Sequence, residues 1–110
     1  MKRLKSYRQR EGQEEIVEGW FMDLETAIKA VKSLKLSPPD VEIPEMVGFQ
    51  RGESFIEFTK LSDGEYQVRY ENPYENKHMI GSLSEQKAID CLCDFFEGKE
   101  LRWGDELEEY

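Results

Sequence analysis

Across residues 54–70, "SFIEFTKLSDGEYQVRY", apolar and polar side chains alternate on both sides of a single Asp-Gly pair, which marks an antiparallel hairpin with one buried face. Two registers compete. A two-residue Asp63-Gly64 turn pairs Leu61 with Tyr66, so that Glu57 faces Tyr70 and Phe58 faces Arg69. A three-residue loop, Ser62-Asp63-Gly64 with Gly64 left-handed, pairs Leu61 with Glu65 instead. Ile56 then faces Tyr70, Phe58 faces Val68 and Lys60 faces Tyr66, while Glu57 meets Arg69 on the other side. Only the second register gathers the apolar residues and pairs the charges, so the bulged hairpin is expected.

Around this hairpin the periodicity changes several times. Residues 2–9 and 14–21 read as two strands, turned at Gly12, the second one rich in β-branched and aromatic residues. Asp23 is placed as an N-cap, and Leu24, Ala27, Ile28, Val31 and Leu34 follow at helical spacing. "LSPPD" stops that helix, since a residue before proline is driven out of the helical region. Residues 37–53, with three prolines and two glycines, read as a long connection with some extended pieces. After the hairpin, "NPYEN" turns the chain and "KHMIGSL" makes a short strand. Ser84 caps a second helix running to about Glu97, with Leu83 and Ala88 as a hydrophobic staple and Gly98 just past its end. Ala88, Ile89, Leu92, Phe95 and Phe96 form its apolar stripe, and the alternation of Leu101 and Trp103 indicates a last short strand or extended segment. The order ββαβββα(β) predicts one α+β domain over residues 1–110. It has a mostly antiparallel sheet of about five to six strands and two helices on one face.

Charge narrows the functional classes. The net charge is −9, yet the first ten residues carry five bases and no acid, which leaves a balance of −14 for residues 11–110. Such a body repels nucleic acid and anionic lipid at long range and attracts basic proteins. The basic start reads as a charged edge strand, with a small nucleic-acid arm as the rarer alternative. No apolar run follows it as in a signal peptide, and nothing approaches the roughly 18 apolar residues of a membrane span. With its two cysteines only two positions apart, the chain is expected to be cytoplasmic and reduced, a monomer or weak homodimer.

Catalytic motifs are missing from the sequence. Cys91 and Cys93 diverge by about 200° on a helix, which suits neither a shared metal nor an unstrained disulfide, and they read as small semi-buried hydrophobes. His78 is the only histidine and stands beside Met79 on a strand. Gly48 and Gly52, in "VGFQRGES", lack the Lys-Ser/Thr of a phosphate loop. No catalytic residue, cofactor or metal site is expected.

The charge order of the second helix stands out. Asp90, Asp94 and Glu97 share one face of its helical wheel, taken as the outward one, with Lys87 the nearby base. Like charges at this spacing cost a few tenths of a kcal/mol, and acids in the last turn oppose the helix dipole. The run continues through Asp105, Glu106, Glu108 and Glu109, with Phe95, Trp103 and Tyr110 near its rim. Two readings follow: a merely solvated acidic face, or a docking patch made of the seven acids with Trp103 and Tyr110. On either reading, reversing several of these acids to lysine is expected to leave stability unchanged or slightly raised.

The pattern "LETAIKAVKSL…FIEFTKLSDGEYQVRYEN…KH…LSEQKAIDCLCDFFEG…RW", over about residues 23–103, resembles the small acidic α+β immunity proteins encoded beside bacterial polymorphic toxins. The resemblance implies a protein that binds a cognate toxin domain and blocks its active site, and it assigns no individual binding residue. The leading expectation is therefore a non-enzymatic module for a basic partner, such as a nuclease toxin. The alternative is a structural or regulatory protein that self-associates through a sheet edge. A small enzyme using Cys93 or His78 comes last.

Overall fold

The computed structural model describes residues 2–110. Strands β1 (Arg3–Gln9) and β2 (Ile16–Asp23) form a hairpin that leads into helix α1 (Leu24–Lys32). Strands β3 (Met46–Arg51), β4 (Ser54–Ser62), β5 (Glu65–Asn72) and β6 (Lys77–Ser84) follow, then helix α2 (Glu85–Glu97) and a two-residue strand, β7 (Glu108–Glu109). All seven strands join one antiparallel sheet in the order β2-β1-β3-β4-β5-β6-β7. The class is α+β, as expected, with more strands than the five to six anticipated. The basic strand β1 is not the edge strand it was read as, because it pairs with both β2 and β3 and leaves the edge to β2.

The additional strand is β3, which lies inside the stretch read as a connection. The prolines stop at Pro44, and Val47 and Phe49 then point into the core between Arg8 and Phe58 and between Ser6 and Ile56. A glycine weakens the strand signal at position 48. It is tolerated because the Tyr7 ring lies over it, so close that a Cβ there would come within 2.4 Å of Tyr7.

The β4–β5 hairpin adopts the bulged register. Ile56 pairs with Tyr70, Glu57 with Arg69, Phe58 with Val68 and Lys60 with Tyr66. The closing pair is Ser62–Glu65 rather than Leu61–Glu65, because the irregularity falls between Lys60 and Ser62. Gly64 has φ +77°, the left-handed geometry that this turn requires.

Both helix starts are capped as their sequences indicate. Asp23 accepts from the Thr26 amide at 2.9 Å, and Ser84 Oγ from the Lys87 amide at 3.3 Å. At the end of α2, Gly98 is left-handed, and the Gly98 and Lys99 amides donate to the Phe95 and Asp94 carbonyls in a Schellman arrangement.

Phe49, Ile56, Phe58, Tyr66 and Val68 are fully buried in one cluster with Ala27 and Val31 of α1 and Ala88, Leu92 and Phe96 of α2. Burial of each large side chain contributes about 1.5–3 kcal/mol. Phe49 meets Phe58 and Phe96 edge-on, at 6.4 and 5.8 Å. The chain beyond α2 is not a strand at 101–103. Leu101 is buried in an irregular segment, a 3-10 turn spans Gly104–Glu106, and only then does β7 pair with Met79 and Ile80. Gly81 makes room for that path, since a Cβ there would lie 2.9 Å from Leu107 Cδ2. Among the described residues, no helix is long and apolar enough to cross a membrane.

Candidate functional site

The acidic run does not form a single free patch. Asp94 is only 3% exposed, which corrects its placement on an outward helix face. Its carboxylate accepts from the Arg102 backbone amide, Nε and Nη2, at 3.0, 3.0 and 2.8 Å. Asp90 accepts from Trp103 Nε1 at 2.9 Å and Gln86 Nε2 at 3.0 Å. Glu106 bonds Lys87, whose ammonium also sits 4.5 Å from the centre of the Trp103 ring, and Glu97 bonds Lys99. The segment after α2 thus folds back and neutralises much of the helix's acidic face. Asp105, Glu108 and Glu109 remain exposed, with Glu108 and Glu109 on the edge strand β7.

Tyr110 goes elsewhere. Its hydroxyl accepts from Arg69 Nε at 2.7 Å and donates to Glu71. This bond ties the acidic tail to the sheet face opposite the helices. There Arg69 also donates to Glu57 at 3.2 Å and Glu71 at 2.7 Å, and its guanidinium lies over the Phe55 ring at 5.2 Å. Tyr7 reaches in from β1 to donate to Glu57 at 2.8 Å, and His78 Nδ1 meets Glu71 at 3.1 Å.

Electrostatics follow this network. Hydrogen bonds, from Tyr110 first and then from His78 and Arg69, hold the Glu71 carboxyl below its usual range against the effect of burial. Burial and the Glu57 charge push the Tyr7 phenol well above its ordinary value, so it stays a donor. The cluster is a hydrogen-bonded patch in which Arg69 answers two carboxylates among Tyr and Phe side chains, and Tyr, Phe and Arg are residue types enriched where proteins dock. Glu57 opposite Arg69 was legible from the hairpin register. Tyr7, Phe55, Glu71 and the role of Tyr110 were not, because three strands and the residue after β7 contribute them.

Two other features are prominent. An open groove of about 870 Å³ lies by the end of α2, between Tyr70, Phe95 and Leu101, and its rim cations are engaged within the chain. Arg51 donates to the Phe96 carbonyl, Lys77 pairs with Glu75 and Glu100, and Arg102 holds Asp94. At the far side of the sheet, edge strand β2 exposes Trp20 (85%), Phe21 (65%) and Ile16 (48%). The described residues contain no group of three or more His, Cys, Asp or Glu placed to hold a metal. Cys91 is buried, Cys93 half-buried, and both are free thiols.

No protein-family model, curated protein or solved structure matches this chain.

Proposed function

We propose that this protein is a cytoplasmic, non-enzymatic binding module, an immunity or inhibitor protein that holds a basic toxin domain against the uncovered face of its sheet. The observation that carries this reading is the Tyr110 bond to Arg69 and Glu71. It sets the exposed acids Glu108 and Glu109 at the rim of an aromatic, hydrogen-bonded face. The rim acids and the net charge of −9 steer a basic partner, and the ordered aromatics retain it. Of the acidic residues singled out from the sequence, Asp105, Glu108 and Glu109 keep a docking role together with Tyr110. Asp90 and Asp94 become the internal frame of the tail with Trp103 and Arg102, while Glu97 and Glu106 stay at the surface, paired with Lys99 and Lys87.

The test requires a toxin-like domain encoded beside this chain's gene, and measures binding to that purified domain at two salt concentrations; a neighbourhood without one counts against the reading. Glu108→Lys with Glu109→Lys is expected to slow association and flatten its salt dependence. Phe55→Ala with Tyr110→Ala is expected to speed dissociation by about tenfold or more. Unchanged kinetics in both pairs would reject the reading.

A second reading, self-association through a sheet edge, is favoured by one observation: Trp20 and Phe21 project from the free edge strand β2. Sedimentation of the wild type and of Trp20→Ser across a concentration series tests it. A dimer that Trp20→Ser dissolves supports it, and a monomer throughout refutes it.

A further inference from the structure

The groove beside the end of α2 holds a guanidinium that the fold leaves without a counter-charge. On the sheet face under the helices, Phe49, Ile56, Tyr70 and Met79 stand side by side across β3 to β6. The next residues along that face are Arg51, Ser54, Asn72 and Lys77. Arg51 pairs with Ser54 and Asn72 with Lys77, and Phe55 opposite Glu71 brings Ser54 beside Asn72. An apolar row thus gives way to a polar one where the groove opens, with Phe95 and Leu101 as the facing wall.

Four cations line the groove, and three of them meet carboxylates. Lys77 pairs with Glu75 and Glu100, Lys99 with Glu97, and Arg102 with Asp94. Arg51 differs. Among the described residues it bonds no carboxylate; Nη2 donates to the Phe96 carbonyl, and Nε is buried without any partner. A buried donor left unpaired is costly, and here it occurs in a chain whose 24 acids outnumber its 15 bases. Ser54, next to Arg51, is 6% exposed and also lines the groove. Tyr70 accepts from Asn72 Nδ2 at 3.2 Å, which sets its hydroxyl at the polar row and leaves its O–H to donate elsewhere.

We propose that this groove binds a small organic molecule with one carboxylate on an apolar body. The carboxylate meets Arg51 beside Ser54 and the Tyr70 hydroxyl, and the body lies against Phe95, Met79 and Leu101. The volume of about 870 Å³ is that of a small-molecule site. A guanidinium matches the two oxygens of a carboxylate, and the net charge of −9 repels a dianion more than a monoanion. The last carbonyls of α2 would oppose an anion, but they are already met. Gly98 and Lys99 amides bond those of Phe95 and Asp94, and Arg51 bonds that of Phe96. Gly98 also makes room for the guanidinium, since a Cβ there would lie 2.6 Å from Arg51 Nη1. The groove lies across the sheet from the Tyr110–Arg69 cluster, so the proposal stands apart from the docking reading.

The probes are phenylacetate, its neutral isostere phenylacetamide, acetate and inorganic phosphate, titrated into the isotope-labelled full chain. Phenylacetate is expected to bind about tenfold or more tighter than each of the other three. Its amide shifts should centre on Arg51–Ser54, Tyr70–Asn72 and Phe95–Arg102. Arg51→Gln should bring phenylacetate to within about twofold of phenylacetamide. The comparison of acid with amide on the wild type needs no variant, so it decides even where Arg51→Gln unfolds. Equal binding of acid and amide, phosphate or acetate binding as tightly as phenylacetate, or shifts centred outside the groove would each overturn the proposal. Phe55→Ala with Tyr110→Ala alters only the opposite face, so unchanged phenylacetate binding in that variant keeps the two tests separate.

Discussion

Arg102 grips Asp94 with two side-chain hydrogen bonds, at 3.0 and 2.8 Å, and with its own backbone amide. This one residue, eight positions along the chain, turns an acid in the last turn of α2 from a liability against the helix dipole into a clamp. Burial alone would raise the Asp94 pKa, but the Arg102 bonds outweigh it and the carboxyl titrates below its ordinary value. A depressed folded pKa means that the contribution is complete above the unfolded value of about 3.9 and is lost as pH falls through the folded one. Asp94→Asn is therefore expected to cost about 1–3 kcal/mol at neutral pH, with a smaller deficit at pH values below about 4. Urea unfolding of both proteins at the two pH values checks this, and an equal deficit at both would falsify the clamp.

The same geometry reverses an expectation drawn from the helical wheel. Lysine at position 94 would bury a cation against Arg102 instead of relieving the dipole, so Asp94→Lys should fail to fold stably. Asp105→Lys or Glu108→Lys, at exposed sites, should change stability by no more than about 0.5 kcal/mol. Thermal melts of the three variants separate the cases.

Tyr7 and Gly48 form a matched pair, with the ring of one occupying the space that a side chain of the other would need. Gly48→Ala should expel the ring, break the 2.8 Å bond to Glu57 and cost about 1–3 kcal/mol. In a Tyr7→Ala background the same change should cost at least about 1 kcal/mol less. A double-mutant cycle measures the difference, and strictly additive values would reject the pairing.

The thiols should behave differently from each other. Burial pushes Cys91 up to about 12 and raises Cys93 by a smaller degree, burial again being the main cause. Raised thiol pKa values leave little thiolate at neutral pH, so a disulfide reagent should label the native protein slowly, with Cys93 ahead of Cys91. Cys91 should react only as the protein unfolds. Rapid native labelling at Cys91, read by mass spectrometry, would contradict its placement.

What the sequence by itself determined is local. Asp23, Ser84, Gly64 and Gly98 sit where their backbone chemistry requires, and the alternation around Asp63-Gly64 chooses a register because slipping it by one residue exposes every buried side chain of the pair. These decisions need only a few neighbouring residues. The tertiary structure decided the rest. Met46–Arg51 becomes a central strand because β1 and β4 flank it and Tyr7 covers its glycine, neither of which can be read within that stretch. A helical wheel gives the angle of Asp94 but not what lies beside it, and Arg102 arrives there only because the tail folds back. Tyr7, Arg69, Glu71 and Tyr110 likewise meet because a sheet sets residues distant in sequence a few ångströms apart, a distance that no local pattern encodes.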